Sequence, residues 1–324
     1  MTRAFHGVPV PVVMAVLVAL FTAACDFDDM PINPLVRDAL THSGGVARFL
    51  AADRTDQLGG GNVVLGGAGP IGRGRVAVSL KARRAGRDLP NLNGLVIRGG
   101  EQSPAPLPVD RTGSSTAISV NGAIGVTSGI PVGRTRILGI DLLGGWSVLP
   151  GIGRDPLGTT IDRESVFSFG ARIGLLGETP SLPAVSVTAM GYAVPEFGFR
   201  RSGVPTENGG TATLGMSTRG VSVSSVRAAA SKEFGRLGVT VGLGFDEMTG
   251  RADLTASVDG ESGERSISLD NNRNNSFVGA SYRLGAVTLG FEAGRLSNRN
   301  GSDFSEPGIS RSKGYLAVGA RIGP

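Results

Sequence analysis

The chain has 324 residues, of which 52 are glycine; 40% are hydrophobic and only 5% are aromatic. The apolar fraction excludes a chain that is disordered by composition, and the glycines, about double the usual 7%, follow no collagen-like period. A net charge of +5 is compatible with nucleic-acid binding. Whether the chain meets nucleic acid depends on its compartment, for which the N-terminus gives the signal.

The first 24 residues have the three parts of a secretory signal. A basic start, MTRAFHG, precedes the apolar run VPVPVVMAVLVALFTAA, which ends in small residues. The run is short, and Pro9 and Pro11 weaken it as a permanent membrane helix. We predict that residues 1–24 are a signal peptide, with an uncleaved anchor as the alternative. An exported chain has no nucleic-acid partner.

The only cysteine, Cys25, follows this segment directly. The sequence FTAAC resembles a bacterial lipobox, in which the cysteine is acylated and becomes the first residue. Thr22 departs from that pattern, which favours Leu, and cleavage after Ala24 by the ordinary signal peptidase is the other interpretation. Either way a single thiol remains, so no internal disulfide can form.

Export therefore predicts a mature chain that starts at Cys25. Mass spectrometry of the protein from a membrane fraction should give this N-terminus, with the added mass of acyl chains if the lipobox is used. A mature chain that starts at Met1 would contradict the prediction.

Residues 25–73 are a predicted helical and linker segment that can plug or cap the periplasmic mouth of a barrel. INPLVRDAL has Asn33 as an N-cap and Pro34 at the first helical position. A second short helix, GVARFLAADR, is predicted after a break at Gly44–Gly45. The motif GAGPIG, 67–72, matches G-x-G-x-x-G, but a strand pattern follows it instead of the required helix. We predict a turn there and no dinucleotide cofactor.

From residue 74 onward, segments alternate large apolar residues with small or polar ones. VTVGLGF, 239–245, is an example, and its second face holds only Thr240, Gly242 and Gly244. Short connections such as FGR alternate with long polar ones such as SNRNGSDFSEPG, as expected for antiparallel strands that run between two environments. Ten strands are predicted: 75–84, 116–129, 135–149, 165–176, 184–197, 219–233, 236–255, 266–284, 286–297 and 312–322. The segments 62–67 and 93–99 could add a pair.

Residues 74–324, with their export signal and asymmetric connections, resemble a bacterial outer-membrane β-barrel. The resemblance implies an all-β, closed antiparallel transmembrane barrel of about ten strands, with eight to twelve tolerable. It also implies the outer membrane of a diderm bacterium, with its lipids and the barrel assembly machinery as partners. One face of each strand then contacts lipid, which for 239–245 means Val239, Val241, Leu243 and Phe245. The chain departs from the family at its end, ARIGP, where an aromatic residue is usual and Ile322 stands nearest to that role.

Charged residues on the small-residue faces are predicted to point into the lumen, because lipid exposure would be costly. They are either groups that set the ion preference of a pore or ion pairs across a filled lumen. These pore-lining candidates are Lys81, Asp141, Arg172, Asp246, Glu292 and Arg321. The oxygen-rich DNNRNN, 270–275, lacks a calcium-loop spacing and is predicted to be a solvated strand end.

The predicted barrel strands contain no histidine, and His42 is the single histidine after the predicted signal. This disfavours His-pair metal sites and acyl-transfer chemistry that needs a base beside its nucleophile. We therefore predict a non-enzymatic barrel, a passive pore or a structural barrel, without metal or cofactor. Three alternatives stay open: an uptake barrel for a hydrophobic ligand with an N-terminal plug, a barrel hydrolase that uses carboxylates, and a secreted or lipid-anchored β-sandwich.

Overall fold

The computed structural model describes residues 33–58, 62, 66–99, 107–152, 157, 161–298 and 312–323. The predicted signal peptide and Cys25 lie outside these ranges. The described residues form a helix, α1 (Pro34–Leu58), and fourteen strands. No helix in these ranges is both long and apolar enough to cross a membrane.

The strands follow one another with few interruptions. In chain order they are β1 (Val76–Pro90), β2 (Val109–Thr127), β3 (Ile130–Val132), β4 (Thr135–Ile137), β5 (Gly139–Leu149), β6 (Glu164–Leu176), β7 (Ala184–Ala193), β8 (Gly198–Pro205), β9 (Thr211–Phe234), β10 (Leu237–Val258), β11 (Glu261–Ser268), β12 (Asn271–Leu284), β13 (Val287–Asn298) and β14 (Ser312–Ile322).

Ten of these strands close into an antiparallel ring. The order is β1-β2-β5-β6-β7-β9-β10-β12-β13-β14, and β14 returns to β1 along a ladder from Val78–Ile322 to Ala85–Tyr315. The ring confirms the predicted fold and excludes the β-sandwich. All ten predicted segments contribute to it, whereas 93–99 supplies only the isolated bridge Ile97–Thr206.

The two ends of the ring differ in their connections. At one end the links are short, such as 235–236 and 285–286, and we call this end the short-turn mouth. At the other end they are long, such as 91–108, 150–163 and 259–270, and we call this end the long-loop mouth.

A sheet of four strands extends beyond the ring at the long-loop mouth. β9 and β10 are 24 and 22 residues long, and their extensions pair with β8 and β11 respectively. We call this sheet, β8-β9-β10-β11, the rim sheet. Its strand β8 was not predicted, and β11 was predicted in part as a loop and in part as the start of β12. The missed signal is Asp259–Gly260, which has positive φ at both residues and makes the tight hairpin turn typical of Asp-Gly.

The outward face of the ring is an apolar band. Val241 is 52% exposed, Leu243 68% and Phe169 73%, and Val239 is exposed on the same face while Phe245 is half-buried. A band of this extent around a whole ring is foreign to a water-soluble monomer. Trp146 and Tyr282 share this face. Further exposed members are Val76, Val78, Leu80, Ile118, Val120, Ile124, Leu142, Phe167, Val278, Leu289, Phe291, Leu316 and Val318.

The predicted break in the N-terminal helix does not occur, because α1 continues through Gly44 and Gly45. A Cβ atom on Gly44 would lie 3.3 Å from Leu254 Cδ1 of the rim sheet. The glycine therefore serves close packing of helix on sheet, and this contact between distant parts of the chain outweighs its low helix propensity.

Glycines on the inward faces make room for aromatic rings of neighbouring strands. A Cβ atom on Gly242 would lie 2.2 Å from the ring of Phe277, its partner across β10 and β12. Gly294 stands in the same relation to Tyr315 across β13 and β14. The small face of VTVGLGF is therefore filled by side chains of the adjacent strand.

This packing predicts that Gly242→Val destabilises the barrel by about 1–3 kcal/mol, the usual cost of overpacking. Unfolding by urea in detergent, followed by gel mobility, would measure it. Gly86→Val is the matched control in β1, where a Cβ atom meets nothing within 4 Å. Equal stability of the two variants would contradict the account.

Candidate functional site: the occupied lumen

The N-terminal segment occupies the lumen of the ring. α1 lies against the rim sheet and against β1 and β2 near the long-loop mouth, which we draw as the upper end of the ring. Asn62 lies at mid-height, where its backbone N–H donates to Glu292 Oε2 over 2.7 Å. Ile71 lies near the short-turn mouth beside Asp141. Three layers of polar contacts hold this segment.

The upper layer joins α1 to the long-loop mouth. Arg87 donates to both carboxylate oxygens of Asp53, over 2.9 and 2.7 Å. Asp56 pairs with Arg273 and with Lys313, the latter over 2.8 Å. These carboxylates and their cationic partners are all buried. Each ion pair therefore takes the place of the water that would otherwise hydrate both charged groups.

Two further contacts extend the upper layer. Arg54 reaches Glu164 Oε1 over 3.0 Å and the carbonyl of Pro150 over 2.9 Å. Its guanidinium also stands 5.8 Å from the centre of the Phe197 ring. Arg54 is 1% exposed, so this side of α1 is tied to the long connections as well as to the strands.

The middle layer is centred on two carboxylates of the ring. Asp246 accepts from Arg227 Nη2 over 3.0 Å and from Asn275 Nδ2 over 2.9 Å. Glu292 accepts from the hydroxyl of Tyr315 over 3.1 Å, as well as from the backbone of Asn62. The N-terminal segment is thus hydrogen-bonded to the ring at mid-height.

Beside these carboxylates lie two more cations. Lys81 Nζ donates to the carbonyl of Asn62 over 3.2 Å. The Arg83 guanidinium stacks over the ring of Tyr315, 4.1 Å from its centre. A small cavity of about 30 Å³ separates Lys81 and Arg83 from Tyr192. That volume is close to the size of one water molecule.

The lower layer closes the short-turn mouth. Arg172 and Asp141, on paired strands, form an ion pair at 2.7 Å. Asp141 also accepts from the backbone N–H of Ile71 at 3.2 Å, and Arg172 Nη1 donates to the carbonyl of Gly67 over 3.4 Å. The ion pair between β5 and β6 thus also binds the backbone of the segment 66–72, at Ile71 and at Gly67.

Below residues 66–72 a vestibule of about 580 Å³ opens at the short-turn mouth. Arg321 lines it and is 5% exposed. The other charged residues around it are Arg73, Arg75, Arg136, Glu178, Glu233 and Arg283. Residues 66–72 of the N-terminal segment line the inner side of this vestibule.

All six pore-lining candidates project inward and are buried. Asp141 and Arg172 form an ion pair with each other. Lys81 and Glu292 both hydrogen-bond to the backbone of Asn62. Asp246 pairs with Arg227, which was not among the candidates. The Arg321 guanidinium has no hydrogen-bond partner among the described residues. Sequence reasoning missed Asp53, Asp56, Arg87, Arg227, Arg273 and Lys313.

One sequence interpretation needs correction here. DNNRNN is not a solvated strand end, because Asn271, Arg273 and Asn275 are buried and face the lumen. The alternation of this segment was visible in the sequence, but the inward face that it assigns to these three residues was not used. Tyr192 is also buried on the inward side of the ring.

His42 is buried in α1, with Nε2 3.5 Å from Asp38 Oδ2. Among the described residues no group of three or more His, Cys, Asp or Glu side chains has the geometry to hold a metal ion. Of the carboxylates in the described lumen, Asp53, Asp56, Asp141 and Asp246 are each held in an ion pair.

Comparison with known proteins gives similarity of architecture alone. No family model and no curated protein sequence matches the chain. Among solved structures, it is similar to the outer membrane protease OmpT from Escherichia coli, with 10% identity, TM-score 0.40 and coverage of 77% of this chain and 97% of that one. It is also similar to the translocator domain of the autotransporter NalP from Neisseria meningitidis, with 13% identity, TM-score 0.39 and coverage of 90% and 99%.

A third similar structure is the Ralstonia pickettii toluene transporter TbuX, with 12% identity, TM-score 0.31 and coverage of 79% and 91%. These proteins differ in activity, and the low scores carry nothing about function. The assignment rests on the closed antiparallel ring and its outward apolar band. The fold is that of a bacterial outer-membrane β-barrel.

Proposed function

We propose that this outer-membrane barrel is a non-enzymatic, non-conducting structural barrel whose lumen is permanently occupied by its own N-terminal segment. The observation that supports this best is the polar layering of the lumen. Each of the three layers binds part of the N-terminal segment to the ring. In the upper two layers, charged side chains of the ring bind this segment, whereas in a water-filled pore such charges would interact with passing ions.

The energetics favour occupation over transient blocking. Withdrawal of α1 would strip Arg87 and Arg273 of their carboxylate partners, and breaking one buried pair by removing a partner costs about 3–5 kcal/mol. A gate that opens on a physiological time scale needs a much smaller difference between its two states, of a few kcal/mol at most.

Uptake of a hydrophobic ligand is less well supported. That function needs an apolar passage from the lumen, whereas the described lumen is lined by ion pairs and hydrogen bonds. The ladders between neighbouring strands of the ring also run with only local register shifts, such as that between Gly125 and Thr127. A hydrolase is disfavoured by the burial of His42 and the pairing of Asp53, Asp56, Asp141 and Asp246.

Planar-bilayer recording of the purified protein tests the proposal. Folded wild-type barrel, with insertion verified by flotation with liposomes, should give no stepwise currents. Stable single-channel steps in the wild type, with a reversal potential that moves toward cation selectivity in Arg172→Glu, would establish a pore and overturn the proposal.

A further inference from the structure

The N-terminal segment runs through the lumen from the long-loop mouth to the short-turn mouth. The proposed function requires that the lumen is filled, but it does not require this direction. We infer that the barrel is threaded by its own chain from outside to inside, so that it holds the N-terminal end of α1 at the outer face of the membrane. The inference rests on the proposed membrane barrel and on contacts at three heights of the lumen.

The N-terminal half of α1 packs on the rim sheet. A Cβ atom on Gly263 of β11 would lie 2.8 Å from Val36 and 3.2 Å from Leu40, and Gly44 approaches Leu254 of β10. The backbone N–H of Arg98, in the long connection after β1, donates to Asp38 over 2.8 Å. These partners all lie beyond the long-loop mouth, and Arg37 and Thr41 on the other side of the helix are exposed.

The C-terminal half of α1 lies lower. Thr55 contacts Met248 Sδ, and Met248 pairs with Asn271, the first residue of β12, at the upper edge of the ring. From Leu254 to Met248 the strand descends roughly 20 Å at its usual rise. From Gly44 to Thr55 the helix descends roughly 16 Å at 1.5 Å per residue. The two lengths agree, so α1 runs down alongside β10.

Beyond the helix the descent continues to the other mouth. Asn62 is level with Glu292 and Lys81. Ala68 N donates to Ser231 Oγ over 2.7 Å, and a Cβ atom on Gly139 or Gly174 would meet the Pro70 ring at 2.6 Å. After Gly72 and Gly74, both at positive φ, the chain reverses into β1 at the short-turn mouth.

The orientation of the barrel fixes which mouth is outside. In outer-membrane barrels the short turns face the periplasm and the long loops face the exterior. The rim sheet and the N-terminal end of α1 are then extracellular, although β1 starts in the periplasm. The barrel thereby works as a holder that keeps a piece of its own polypeptide on the cell surface.

Cysteine labelling of cells that express the protein tests this inference. Four single variants are compared with the wild type, which sets the background from Cys25: Thr41→Cys on the exposed side of α1, Ser262→Cys in the rim sheet, Arg134→Cys in the turn between β3 and β4, and Ser43→Cys on the buried side of α1. Each is treated with a membrane-impermeant polyethylene-glycol maleimide, and the added masses per chain are counted on a gel.

Thr41→Cys and Ser262→Cys should each gain one label in intact cells. Arg134→Cys should gain it only after the outer membrane is permeabilised, and Ser43→Cys only after the protein is unfolded. If Thr41→Cys follows Arg134→Cys while Ser262→Cys is labelled in intact cells, the barrel stands and the threading is wrong. If Ser262→Cys and Arg134→Cys are labelled alike in every condition, the membrane barrel itself is wrong and the inference falls with it.

Discussion

Arg172→Glu should lower the free energy of unfolding by about 3–5 kcal/mol, the range found when one partner of a buried ion pair is lost. Arg172 is 1% exposed and Asp141 is fully buried, and their ion pair spans 2.7 Å. The substitution sets two carboxylates side by side and removes the donor to the Gly67 carbonyl. It therefore affects both the ring and the segment that closes the short-turn mouth.

Urea titration in detergent micelles, with gel mobility as the readout of the folded ring, measures this loss. Arg134→Glu is the matched control, because Arg134 is exposed in the turn between β3 and β4, and it should change stability by about 0.5 kcal/mol or less. A double variant, Asp141→Leu with Arg172→Met, should recover much of the loss, since replacing both members of a buried pair by apolar residues is often neutral. Wild-type stability of Arg172→Glu would refute the pairing.

Val241→Arg should cost on the order of 2–4 kcal/mol if the side chain meets the centre of the bilayer, because arginine on the lipid face is penalised most at the midplane. Val241 lies on the outward face of β10. Its neighbour Gly242 lies on the inward face, where the ring of Phe277 fills the space beside it.

Leu237→Arg is the control on the same face of the same strand. Leu237 directly follows the short turn 235–236, so its side chain lies near the interface, where the penalty falls to about 0–1 kcal/mol. Refolding into liposomes of defined thickness gives both values. Equal costs at the two positions would contradict a transmembrane placement of β10.

The ring was predictable from the sequence because its signal is local. Each strand alternates apolar and small residues with a period of two, and this pattern survives whatever the strand pairs with. The alternation also predicted an inward direction for six charged side chains, which are buried in the structure: Lys81, Asp141, Arg172, Asp246, Glu292 and Arg321. It reports only the face of a residue, however, and says nothing about its partner.

Partners across the lumen were out of reach for the same reason. Asp56 and Arg273 are separated by 217 positions, and neither lies in a motif with a fixed spacing. The continuity of α1 through Gly44 and Gly45 depends on Leu254 in the rim sheet, a contact that only the folded chain creates. The rim sheet itself was hidden because β9 and β10 each change one partner along their length. The alternation of β9 also shifts by one residue at Arg219–Gly220, where Gly220 has positive φ.

The position of α1 at the long-loop mouth also sets an order of events during biogenesis. The partners of α1 belong to β1, to the rim sheet and to β12 and β14, so its contacts span almost the whole length of the chain. Such non-local contacts form late, because the intervening chain has to be ordered first. Residues 34–58 leave the ribosome before any strand does, yet their docking site is complete only when the last strand is in place. They are synthesised first and docked last.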